Sequence, residues 1–108
     1  MKKLSLLSAL LILTSAPAMG DELPVFHLTL KDHTFSPAVL EVPAKQKIKL
    51  LVKNEQAQPG EFESGELDRE KVVGAGSEIT VFLGPLDAGK YGYFDDFHRE
   101  PVGTIVAK

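Results

Sequence analysis

The sequence predicts an all-β fold, a two-sheet antiparallel Greek-key sandwich of about seven strands, and three observations carry that expectation. Apolar residues recur at every second position in several short runs. Gly and Pro signals punctuate the intervals between those runs. After residue 20, no stretch of ten or more residues carries a helical period.

Taken in order, Phe26, Leu28 and Leu30 share one face of a first strand, with His27 on the other. Ser36-Pro37 breaks the chain before a second short run, Val39 to Val42, which Pro43-Ala-Lys45 ends. Ile48, Leu50 and Val52 line one face of a third strand, with Lys47, Lys49 and Lys53 opposite. Residues 54–70 follow as a strand end and a long acidic excursion, with six carboxylates against Arg69 alone. Ile79, Val81 and Leu83 repeat the alternation after Gly74-Ala-Gly76. Tyr91 and Tyr93 do so after Gly84-Pro85 and Ala88-Gly89, and residues 103–107 close the chain.

The first twenty residues read as a secretory signal peptide. Lys2 and Lys3 precede a largely apolar run from Leu4 to Thr14, and Ala16-Pro-Ala18-Met-Gly20 offers small residues for cleavage after Gly20 or Ala18. The apolar run is too short for a comfortable membrane span. Cleavage after Gly20 leaves 88 residues as a single domain, 21–108, exported to the periplasm with no membrane span. The 12 Lys and Arg lose Lys2 and Lys3, so ten face 15 Asp and Glu, a balance of −5 that argues against nucleic acid as a partner.

With no Cys there is no thiol nucleophile, thiolate ligand or iron–sulfur cluster, and the only methionines are Met1 and Met19. A metal must then be held by carboxylates, imidazoles and backbone oxygens, which favours hard or borderline ions and disfavours Cu(I) handling. Ser64 and Ser77 have no neighbouring His, and no Gly-x-Ser-x-Gly turn is present, so hydrolytic chemistry has no support.

Two segments can carry metal chemistry. In Tyr91-Gly-Tyr-Phe-Asp-Asp-Phe-His98, the alternation through Tyr91 and Tyr93 puts Asp95 at the strand end. His98 then falls in the turn before the last strand. One turn can position both at little cost in ordering entropy, with Asp96 and Glu100 as further ligands or as acceptors orienting the imidazole. In Glu61-Phe-Glu63, an extended backbone points both carboxylates one way and Phe62 the other, an unfavourable pairing unless a cation or solvent intervenes. Together these give an oxygen-rich site with one nitrogen: Glu61 and/or Glu63, Asp95 and His98. His27 reads as exposed, and His33 as a turn residue that hydrogen-bonds locally.

Residues 24–108 resemble the cupredoxins. The ending Tyr91-x-Tyr-Phe-Asp95-x-x-His98-x-x-Pro101-x-Gly103-x-Ile105 is similar to their Tyr-x-Phe-x-Cys-x-x-His-x-x-Met-x-Gly-x-Ile. Asp95 stands where that pattern has its cysteine ligand, His98 where it has its second histidine, and Pro101 near its methionine. A blue, electron-transferring centre depends on a copper–thiolate bond and is not available here. The runs from Phe26 to Pro43, Lys49 to Asn54 and Glu61 to Ser64 resemble a narrower group. These are small periplasmic cupredoxin-like proteins of bacterial ferrous-iron uptake systems, FtrB-like and related to the cupredoxin domain of EfeO. One departure is Ser64-Gly65-Glu66-Leu67, where a Ser-His-Asp-Leu-like stretch is expected.

The resemblance implies a cupredoxin-like sandwich that binds iron or copper in iron acquisition. Its implied partners are an iron permease and a periplasmic iron- or copper-binding protein, with a possible ferroxidase role. The alternative is a metal-free docking subunit of a periplasmic transport complex, with the acidic 55–70 segment as its contact surface.

Overall fold

The computed structural model describes residues 22–108; the expected signal peptide, residues 1–20, lies outside the described residues. Among the described residues nine strands follow one another: β1 Val25–Lys31, β2 Thr34–Ser36, β3 Val39–Val42, β4 Ile48–Asn54, β5 Gly60–Ser64, β6 Arg69–Val73, β7 Glu78–Leu83, β8 Gly89–Asp95 and β9 His98–Ala107. They form two sheets, ordered β2-β1-β4-β7 and β3-β9-β8-β5-β6. Among the described residues no helix is long and apolar enough to cross a membrane.

The sandwich is the expected architecture, with three differences in detail. The short β2 is resolved from β3 by Ser36-Pro37, and the two belong to different sheets. Pairing is mixed: β1 runs parallel to β4 and β3 parallel to β9. The acidic excursion is instead an antiparallel hairpin, β5 on β6, with Glu63 opposite Glu70 and Glu61 opposite Val72. This hairpin and β2 bring the count to nine.

The period-two residues meet between the sheets as anticipated. Leu28, Leu30, Leu50, Val52 and Val81 are fully buried from one sheet, against Phe62, Val73, Tyr93 and Ile105 from the other. Tyr93 is at the centre of an aromatic group, with ring centroids 5.0 Å from Phe62 and 5.1 Å from Phe35. Phe62 lies between Glu61 and Glu63 in β5, and Tyr93 lies two residues before Asp95 in β8. The packed rings therefore fix the two strands that carry the candidate ligands.

Asn54, fully buried at the end of β4, ties the adjoining loops together. Its side-chain amide donates to the carbonyls of Gln58 (2.9 Å), Val73 (3.0 Å) and Gly74 (3.3 Å), and its Oδ1 accepts from the Gln56 amide (2.9 Å). These bonds set where β5 begins.

Candidate metal centre

The β5–β6 hairpin is clamped onto β8 at Gly92 from both sides of its backbone. The Ser64 hydroxyl donates to the Gly92 carbonyl at 2.6 Å and accepts from the Leu67 amide at 3.1 Å. The Gly92 amide donates to Glu66 Oε1 at 2.6 Å. With β5 held there, Glu61 and Glu63 share the face turned away from Phe62, as the alternation requires, and the hairpin register adds Glu70 from β6.

One carboxylate oxygen from each of Glu61, Glu63 and Glu70 lies within 4.8 Å of the other two. Oxygens sharing one ion through bonds of about 2.1–2.5 Å stand no more than about 5 Å apart, so the grouping has the dimensions of a cation site. Glu61 is only 6 % exposed. Burial pushes its carboxyl up to about 7, helped by the hydrogen-bonding and charge of Glu63 and by the charges of Glu70 and Asp96. Glu63 Oε1 is shielded from solvent without a hydrogen-bond partner. Among the described residues the ion pairs are Lys45–Asp87, Arg99–Asp96 and Lys108–Glu41, and none neutralises this group.

The remaining expected ligands are distributed around this group rather than within it. Asp95 is 1 % exposed, just past an irregularity in the β8–β9 ladder. Its Oδ1 accepts from the amides of Glu61 (3.1 Å) and Phe97 (3.0 Å), and its Oδ2 is buried without a partner. Asp95 thus fastens β5 to the β8–β9 turn. Asp96 is in that turn, 2.6 Å from Arg99, and contributes to the field at Glu61.

His98 is not a turn residue: it opens β9, paired with Asp95, because the connection is a two-residue turn. Its ring stacks on His33, centroids 4.2 Å apart, and not on the three glutamates. His33 also departs from the expected local bonding. Its amide donates to Gln56 Oε1 at 2.7 Å, across to the loop after β4. His27 is exposed, as expected.

Two residues escaped the sequence reading. Glu70 joins the group only through the hairpin register, which a charged five-residue strand does not announce. His33 meets His98 only once the sheets close.

The fold defines a cupredoxin-like sandwich, and the carboxylates gathered in it bring no sulfur ligand. The chain belongs to the cupredoxin-like domain family, whose profile matches residues 3–107. It is 42 % identical over 87 residues to an uncharacterized protein of Rickettsia prowazekii (strain Madrid E), covering 81 % of this chain and 70 % of that one. Solved structures share the fold, three of them as follows. A purple cupredoxin from Nitrosopumilus maritimus has a TM-score of 0.59 at 18 % identity, over 76 % of this chain and 98 % of that one. The metal-binding domain of the Cu(I)-exporting P-type ATPase CopA of Streptococcus pneumoniae has 0.70 at 10 %, over 78 % and 84 %. Auracyanin A of Chloroflexus aurantiacus, a blue copper protein, has 0.65 at 18 %, over 78 % and 98 %.

The copper–thiolate centre that this fold implies does not fit these residues. The chain has no Cys, and Asp95 spends one oxygen on two backbone amides while the other is enclosed and unpartnered. The donors that converge are oxygens, which match hard or borderline ions.

Proposed function

We propose that this protein is a periplasmic cupredoxin-like carrier that captures iron, or copper as Cu(II), on the Glu61–Glu63–Glu70 group. In this reading Asp96, ion-paired with Arg99, adds negative charge to the field at Glu61, Asp95 fastens the strand that carries Glu61, and His98 stands opposite Asp95 at the start of β9. Its place is iron acquisition, alongside an iron permease and a periplasmic iron- or copper-binding partner. That assignment rests on the resemblance of the runs Phe26 to Pro43, Lys49 to Asn54 and Glu61 to Ser64 to FtrB-like proteins.

The observation that supports cation capture is the buried Glu61 with two more carboxylates within 4.8 Å and, among the described residues, no Lys or Arg ion-paired with any of the three. Such a group is repulsive as it stands, and a bound ion relieves the repulsion. Carboxylate oxygens hold Fe(III) more tightly than Fe(II), so capture would lower the potential of bound iron. Turnover as a ferroxidase would require an electron acceptor in addition.

Calorimetric titration of the purified protein with Fe(II) under anaerobic conditions, Fe(III)-citrate and Cu(II) tests the reading. Saturable uptake that is lost in a Glu61→Gln, Glu63→Gln, Glu70→Gln variant is the expected result. Equal uptake by wild type and this variant would refute the carboxylate site.

A further inference from the structure

We propose that the outer face of the β2-β1-β4-β7 sheet is a docking surface for an anionic phospholipid bilayer, with the lysines along β4 set against the headgroups. This face belongs to the sheet that does not carry the three glutamates, and the proposal does not rest on cation capture.

The strand alternation decides which side chains are outside. Ile48, Leu50 and Val52 are buried between the sheets, so Lys47, Lys49, Leu51 and Lys53 project outward along the middle of this one. The register sets them in rows across three strands. Val25, Lys49 and Phe82 form one row, His27, Leu51 and Thr80 the next, and Thr29, Lys53 and Glu78 the third. Val25 is 45 % exposed and Phe82 46 %. Lys47 Nζ lies 5.4 Å from the centroid of the Phe82 ring, which puts a third ammonium over the same face.

These lysines are crowded on one strand and are not offset. Among the described residues the ion pairs involve Lys45, Arg99 and Lys108, so Lys47, Lys49 and Lys53 have no carboxylate partner. Glu78 is the one acidic residue in the three rows. Residues 21–108 nevertheless carry 10 Lys and Arg against 15 Asp and Glu. The cations are gathered on one sheet of an acidic molecule, while Glu61, Glu63 and Glu70 stand on the other. Such a charge distribution turns the lysine face toward a negatively charged surface.

The apolar residues in the same rows point to lipid. A headgroup layer offers negative charge with apolar depth just beneath it. Lysine stems and an aromatic ring are suited to that boundary. Beside the first row a cleft of about 540 Å³ is walled by Leu23, Val25 and Phe82, with Lys49 and Glu22 as its charged groups. One ammonium facing a carboxylate is a poor cradle for a free phosphate. A peptide strand is also disfavoured at the adjoining β7 edge, because Arg69 Nη2 and Nε already donate to the Phe82 carbonyl at 2.8 and 3.3 Å.

The test is cosedimentation of residues 21–108, which hold all nine strands, with vesicles of phosphatidylglycerol and phosphatidylcholine in equal parts and with phosphatidylcholine alone. Saturable binding to the anionic vesicles only is expected. It should be lost in about 1 M salt, where the screening length falls to about 3 Å. Lys47→Gln, Lys49→Gln and Lys53→Gln together are expected to weaken partitioning about a hundredfold, or about 1 kcal/mol per lysine. Lys71→Gln, Lys90→Gln and Lys108→Gln together change the net charge equally but away from this face, and are expected to keep partitioning within about threefold of wild type. Equal losses in the two triple variants would overturn the proposal, as would equal binding to both vesicle types or binding to neither. Phe82→Trp gives the chain its only Trp, whose emission is expected to shift to the blue on anionic vesicles. An unshifted emission from vesicle-bound protein would overturn the assignment of this face. Tighter binding to polyglutamate than to the anionic vesicles would overturn it in favour of an acidic protein partner.

Discussion

Raising the pH from about 5 to about 8 is expected to weaken the metal-free fold, because the native state holds a proton on Glu61 that the unfolded chain releases. The Glu61 carboxyl titrates near 7 in the fold against an ordinary 4.5. Between those values the native state binds more protons, so stability falls with rising pH and the loss is complete above about 7. At about 1.36 kcal/mol per pH unit the difference sets an upper bound of roughly 3 kcal/mol, and because solvent screens the repulsion from the exposed Glu70 and Asp96 a loss of about 1–2 kcal/mol is expected. With a urea dependence of about 1 kcal/mol/M for a domain this small, the midpoint drops by roughly 1–2 M. Glu61→Gln removes the titrating group and is expected to flatten most of the profile, leaving the variant more stable than wild type at the alkaline end. Urea unfolding followed by circular dichroism at several pH values measures both. A flat wild-type profile, or a Gln variant that falls as steeply, would refute the burial and repulsion assigned to Glu61.

Asn54→Ala removes the amide that serves three carbonyls and the oxygen that holds Gln56, and is expected to cost about 2–4 kcal/mol in urea unfolding. Asp95→Ala leaves the Glu61 and Phe97 amides without their acceptor, whereas Asp95→Asn retains an oxygen there. Amide exchange at both positions should accelerate in the first and change little in the second. Gly103→Ala drives a methyl into the buried Tyr93 ring, which Phe35 and Phe62 hold in place, and is expected to cost about 1–3 kcal/mol or more by thermal unfolding.

The sequence made the core legible wherever one strand face was uniformly apolar. Leu28 and Leu30, Leu50 and Val52, and Val81 and Leu83 were all placed correctly, because period-two burial is a local property. The β5–β6 hairpin was hidden for a local reason as well: Arg69-Glu70-Lys71-Val72 leaves three of its four residues exposed, so β6 shows no alternation to read. The site was half legible. Glu61 and Glu63 follow from strand geometry alone, but Glu70 requires the cross-strand register. The His33–His98 stack requires two hairpins to meet. Asp95 was found as a special position, yet its bonds to the Glu61 and Phe97 amides depend on a turn geometry that spacing does not encode.

Those two bonds explain how a self-repelling site persists in a small domain. Glu61 sits beside like charges because its backbone has no freedom to withdraw. Its amide is held by Asp95, its neighbour Phe62 is locked against Tyr93, and Ser64 is fastened to Gly92. The packed side of β5 therefore imposes an arrangement that its carboxylate side opposes. Two things relieve the opposition without moving the backbone: a proton on Glu61 or a cation shared by the three glutamates. Under the proposed capture they would compete for the same oxygens, and a bound ion would displace the proton from Glu61. Such a site would be preorganised, since the core holds the three glutamates in place whether or not an ion is bound.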